Sequence, residues 1–188
     1  MKPVKRIEKS IETLISNKTR IKLLVRFFLN PESTSYLRKL EEEFDESTNA
    51  IRVELNRFEQ AGLLTSFTET NKKVFRANEN HPMYREINSL VKKYLGLDQI
   101  VEHLANKVGN LRKAYLTGNI AMGLPGESIE VILIGDDFKT DKIDDLTKKA
   151  EEFIKRKVVY TLVETPHSAS ALKKCCNYLL IWEKTKNN

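Results

Sequence analysis

Apolar residues follow a helical period over the first 110 positions or so, and then give way to short contiguous runs. Ile21, Leu24, Val25 and Phe28 recur at i, i+3, i+4 and i+7, which predicts a helix over about residues 18–29, ended by Asn30-Pro31. Leu37, Leu40 and Phe44 mark a second helix, interrupted by Asp45-Glu46-Ser47. Ser47 has the side chain of an N-cap, and a third helix is predicted over residues 48–61. That helix carries Ile51, Leu55 and Phe58 on one face and stops at Gly62, a residue suited to the left-handed turn after a helix. Residues 63–67 and 73–77 then read as two short strands around the polar stretch 68–72.

His81-Pro82 opens a longer helical region. Met83, Ile87, Leu90 and Tyr94 recur at spacings of four and three, and Leu97, Val101, Leu104 and Val108 repeat the pattern beyond Gly96. Gly109-Asn110 is a plausible stop. From residue 111 the pattern changes. Residues 113–117 and 130–134 read as buried strands with a glycine-bearing loop between them. Ile143, Leu146, Ala150 and Phe153 mark a helix, residues 158–163 a strand, and residues 178–182 a last apolar run. Strands alternating with a helix imply an α/β unit. Three regions follow: 1–80, a helical linker 81–110, and 111–188.

Two short helices joined by a three-residue turn and followed by a hairpin build a winged helix-turn-helix, whose second helix enters a DNA major groove. With Ile51 turned to the core, a helical wheel of residues 48–61 points Asn49, Arg52, Val53, Asn56 and Gln60 outward, with Arg57 at the margin. Arginine pairs with guanine, asparagine with adenine, and a valine methyl meets the thymine methyl. Ser47, Thr48 and the start of the preceding helix at Ser35 are placed to meet phosphate, as are Lys72, Lys73 and Arg76 on the hairpin. The bland alternative is a solvated helix face beside a charged turn. Glu41, Glu42, Glu43, Asp45 and Glu46 form an acidic block beside the turn, and it must face away from DNA if the unit docks.

Charge changes this picture little. The net charge is +6, but residues 1–80 hold 15 basic against 12 acidic side chains and residues 81–188 hold 17 against 14, so only local clusters count. An apolar fraction of 40% supplies a core, and no run approaches the roughly 20 apolar residues of a membrane span. The basic start Met1-Lys2-Pro3-Val4-Lys5-Arg6 lacks the apolar stretch of a secretory leader, so the expected location is the cytoplasm. Cys175 and Cys176 are adjacent and read as reduced thiols. His81, His103 and His167 have no metal-ligand spacing, so neither a metal nor a cofactor is implied.

Residues 17–80 resemble the winged-helix domain of ArsR- and MarR-type bacterial transcriptional regulators. The resemblance is carried by Ala50-Ile51-Arg52-Val53-Glu54-Leu55, by Phe58-Glu59-Gln60-Ala61-Gly62-Leu63-Leu64, and by the wing Asn71-Lys72-Lys73-Val74-Phe75-Arg76. It implies sequence-specific binding to double-stranded DNA. Metal sensing, common in ArsR-type proteins, does not carry over, because this region contains no cysteine.

Residues 111–164 resemble the nucleotidyltransferase fold of polymerase-beta-like enzymes, in which a glycine-serine loop holds a triphosphate and an Asp-x-Asp strand holds magnesium. Gly118 and Gly123 match that pattern. The loop serine is Asn119 here, the arginine is Met122, and the first aspartate is Ser128, leaving Glu130 at the second position. A lone carboxylate is a poor cradle for two magnesium ions, so the domain is expected to be non-catalytic and the chain not an enzyme. Gly118, Asn119 and Glu130 are either a nucleotide-binding remnant or a loop kept for folding.

The sequence thus predicts an α+β protein: a winged helix-turn-helix, linker helices, and an α/β nucleotidyltransferase-like domain. Its expected function is transcriptional regulation, with an active nucleotidyltransferase as the alternative. A homodimer is expected, with the stripe from Met83 to Val108 either forming its surface or packing within one chain. No membrane partner is expected, and the sequence names no effector.

Overall fold

The computed structural model describes residues 3–105, 108–154, 156–175 and 177–184, without the side chains of 3–8, 102–105, 153 and 174. Cys176 and the side chains of His103, Leu104 and Phe153 lie outside the described residues. The protein is a mixed α+β chain with two sheets, divided into two compact units. One comprises residues 8–92 with 123–125, and the other comprises 1–7, 93–122 and 126–188. The expected boundary at residue 80 and the separate linker 81–110 differ from this division, which assigns the two linker helices to different units.

The first unit is built on helix α2 (Lys18–Phe28), which follows α1 (Pro3–Leu14), a helix the apolar spacing did not suggest. Asn17 caps α2 by accepting from the Arg20 amide at 3.1 Å. Leu23, Phe27 and Phe28 are fully buried. Strand β1 (Thr34–Tyr36) leads directly into α3 (Leu37–Phe44). Asp45 ends α3 in the left-handed region (φ 51°), and Ser47 caps α4 (Thr48–Gln60) by accepting from the Ala50 amide at 3.3 Å. Strands β2 (Leu64–Glu69) and β3 (Lys72–Ala77) form the hairpin. The five-residue loop expected at 68–72 is in fact the two-residue turn Thr70-Asn71, both at positive φ (46° and 60°), a twist that suits a tight hairpin. Strand order is β1-β3-β2, all antiparallel, with Ser35 opposite Phe75. Helix α5 (Tyr84–Tyr94) is tied to α2 by Asn88, which donates to the Phe28 carbonyl at 2.5 Å.

The second unit begins its helical part with α6 (Leu97–Ala105). A four-stranded sheet follows, from β4 (Asn110–Thr117), β5 (Ser128–Asp136), β6 (Lys157–Glu164) and β7 (Tyr178–Glu183), in the order β6-β5-β4-β7. Only β5 and β6 run parallel. Between the strands lie the short α7 (Gly118–Ala121), α8 (Thr140–Ile154) and α9 (Ser168–Lys174). Val131 to Gly135 on β5 is buried without alternation, as expected of an inner strand covered on both faces. Tyr115, Ile132, Ile134 and Val163 form a cluster on which Ala171, Leu172 and the free thiol Cys175 pack. Helix α6 packs on α8, β4 and β7. Leu97, Val101 and Val108 are therefore buried within the chain and present no stripe for a second copy, which corrects that part of the expected dimer surface. Val108 also lies outside α6.

Candidate nucleic-acid interface

Helix α4 separates its side chains sharply. Ile51, Leu55 and Phe58 are buried, whereas Asn49, Arg52, Val53, Asn56, Arg57 and Gln60 are exposed and Thr48 is half-buried. Ser47 is exposed but its hydroxyl is already engaged as the cap. Ser35 is a correction. It is 2% exposed on β1, its hydroxyl has no hydrogen-bond partner, and it cannot reach a phosphate, because strand alternation turns it to the core and Thr34 outward.

The wheel also overlooked Glu54, which lies on the buried side of α4 at 2% exposure. Its carboxylate accepts from Arg20 Nε at 2.7 Å, Arg57 Nη1 at 2.6 Å and Asn17 Nδ2 at 3.2 Å. Burial works to raise the Glu54 pKa, but hydrogen bonds and charge from Arg20, then Arg57, outweigh it and hold the group below the usual carboxylate range. Arg57 is thus exposed but tethered, while no ion pair holds Arg52 among the described residues.

The acidic block is absorbed in part by α2. Glu43 pairs with Arg26 at 2.9 Å and Glu46 with Lys22 at 2.8 Å. Asp45 is the left-handed turn residue, and Glu41 and Glu42 are left to the surface of α3. Lys22 and Arg26 of α2 thus pair with Glu46 and Glu43 at the end of the acidic run.

On the hairpin, Lys72, Lys73 and Arg76 are exposed. Lys73 is bound to Glu59 of α4 at 2.7 Å, and Glu59 also accepts from Ser66 at 2.5 Å, so the hairpin is tied to the end of the helix. Hydrogen bonds from Lys73 and then Ser66 lower the Glu59 pKa. Lys72 stands over the Tyr36 ring at 4.3 Å and Arg76 over Phe67 at 5.7 Å. A cleft of about 470 Å³ opens between the start of α3, the first half of α4 and β3. Arg38, Arg52, Lys72 and Lys73 line it against one carboxylate, Glu41. Tyr36 is expected from the sequence, with Thr34 and Ser35, at the end of the helix that approaches the backbone in this kind of unit, whereas Arg38 was missed and had position alone as its signal.

In the second unit, Gly118 and Glu130 come together while Asn119 is exposed on α7. Thr117 lies opposite Glu130 in the β4–β5 register. Gly118 sits at φ +68°, a conformation that favours glycine, and a Cβ there would lie 2.7 Å from Oε1 of the exposed Glu130 side chain, so the loop closes beside this carboxylate. Among the described residues no three His, Cys, Asp or Glu side chains converge.

No family model matches this chain, and no curated protein matches it. Among solved structures it is similar to a "putative nucleotidyltransferase" from Sulfolobus solfataricus, at 20% identity and a TM-score of 0.35, over 48% of this chain and 80% of that one. This neighbour is described as an enzyme, against the expectation that the chain is not one.

Proposed function

We propose that this chain is a sequence-specific DNA-binding transcriptional regulator of the cytoplasm, acting as a homodimer, in which residues 18–77 work as a winged helix-turn-helix of the ArsR and MarR kind. One observation carries the reading. The side of α4 not committed to the core exposes Asn49, Arg52, Val53 and Asn56 beside a hairpin that exposes Lys72 and Arg76. The helix supplies base-reading chemistry and the hairpin supplies phosphate-binding charge. Two further features support it: the order β1-β3-β2 around α3 and α4, and the ion pairs that draw Glu43 and Glu46 toward α2.

The test is selection of a binding site from random duplexes, then titration at varied salt. Arg52→Ala with Asn56→Ala is expected to erase sequence preference, about 1–3 kcal/mol for each lost base pairing, while weak salt-dependent binding persists. Unchanged preference in that double variant refutes the reading helix.

A second reading, group transfer from a nucleoside triphosphate in the C-terminal unit, is favoured by the closure of the Gly118 loop beside Glu130. Incubation with labelled triphosphates and magnesium tests it. Transfer that Glu130→Ala abolishes supports it, and the absence of transfer with nucleic acid or protein acceptors removes it.

A further inference from the structure

We propose that the cleft between α3, α4 and the hairpin receives one unpaired nucleotide of a nucleic-acid strand adjoining the duplex that α4 grips. The proposal rests on reading the exposed side of α4 as a nucleic-acid interface. At about 470 Å³ the cleft is within the size range of sites that enclose a small molecule. Its floor is apolar: Leu37, Leu55 and Phe75, with Tyr36 beside them. Leu55 and Phe75 are 1% and 4% exposed, so the floor is fixed by the core beneath it.

The rim has the opposite character, with Arg38, Arg52 and Lys72 against Glu41, and Lys73 already paired with Glu59. Lys72 stands over one face of Tyr36, which holds its ammonium at the rim as a partner for phosphate, and the ring itself lines the cleft beside it. A bare phosphate would meet the rim but waste the floor, and a base pair inside a duplex has no free face to lay on it. An unpaired nucleotide supplies both, a flat base for the floor and a phosphate for the rim. Thr48 also lines the cleft and offers a hydroxyl to a base edge.

The experiment uses the full chain and fluorescence anisotropy at one salt concentration. It compares a blunt duplex carrying the selected site with the same duplex bearing a single unpaired nucleotide, either at one end or as a bulge. At least one unpaired form is expected to bind about fivefold tighter or more than the blunt form. Tyr36→Ala is expected to bring that ratio close to one, and Tyr36→Phe to keep it, with thermal unfolding followed for both. Equal binding of all forms by the wild type overturns the proposal and leaves the duplex reading standing. The duplex reading falls separately if no form binds with salt dependence. A preference that survives Tyr36→Ala also overturns the proposal. So does binding of adenosine monophosphate without any preference for unpaired strands, which would make the cleft a small-molecule site.

Discussion

Glu54 shows how one side chain decides what its helix can offer. It stands three residues from Ile51 and from Arg57, on the side of α4 that faces α2, where a carboxylate needs partners. Arg20 and Arg57 supply them, and both remain partly open to water, so the group acts as a tether more than as a buried pair. Glu54→Gln keeps the shape and removes the charge. The expected loss is about 1–3 kcal/mol, read from urea unfolding near pH 7. The pH dependence has a fixed sign. The folded carboxyl titrates below its unfolded value, so its contribution is full above roughly pH 4.5 and is lost as pH falls through the lowered value. Wild type is therefore expected to lose more stability than Glu54→Gln between about pH 5 and pH 2. Parallel curves for the two proteins would show that the tether contributes nothing.

At the scale of elements, α4 and the hairpin are linked by Glu59, which binds Lys73 and Ser66. Lys73 therefore reaches any DNA already neutralised. Glu59→Gln is expected to free that charge, tightening non-specific binding at low salt and steepening the salt dependence by up to about 0.9 in log–log slope. An unchanged slope would mean that Lys73 does not face phosphate. The same scale explains what the sequence disclosed. Helices α2, α3 and α4 announce themselves because Ile21, Leu37 and Ile51 begin regular apolar stripes and Ser47 marks a start. Strand β1 does not, since three residues carry too little pattern and its pairing with β3 is made forty positions away. That blindness misassigned Ser35, whose direction is set by the strand. It also hid the cleft, which needs Tyr36, Asn56 and Lys72 on three separate elements. The stripe through α5 and α6 was visible, but periodicity cannot say whether a face meets its own chain or another. The burial of Leu97 and Val101 answers that for α6.

Over the whole molecule the net charge of +6 says little about which cations are free to meet a partner, because ion pairs engage some of them. On the proposed DNA side, Arg57 and Lys73 are held by Glu54 and Glu59. Arg38, Lys72 and Arg76 are exposed and hold no ion pair among the described residues. If Arg52 reads a base, those three remain for phosphates. Three neutralised phosphates give a log–log salt slope of about −2.7 per protomer, and a homodimer on two half-sites gives about −5.4. The slope for a selected duplex, measured beside the stoichiometry, separates the two assemblies. Lys72→Ala is expected to flatten it by about 0.9 per protomer while weakening all sequences alike. A wild-type slope near zero would remove DNA as the partner.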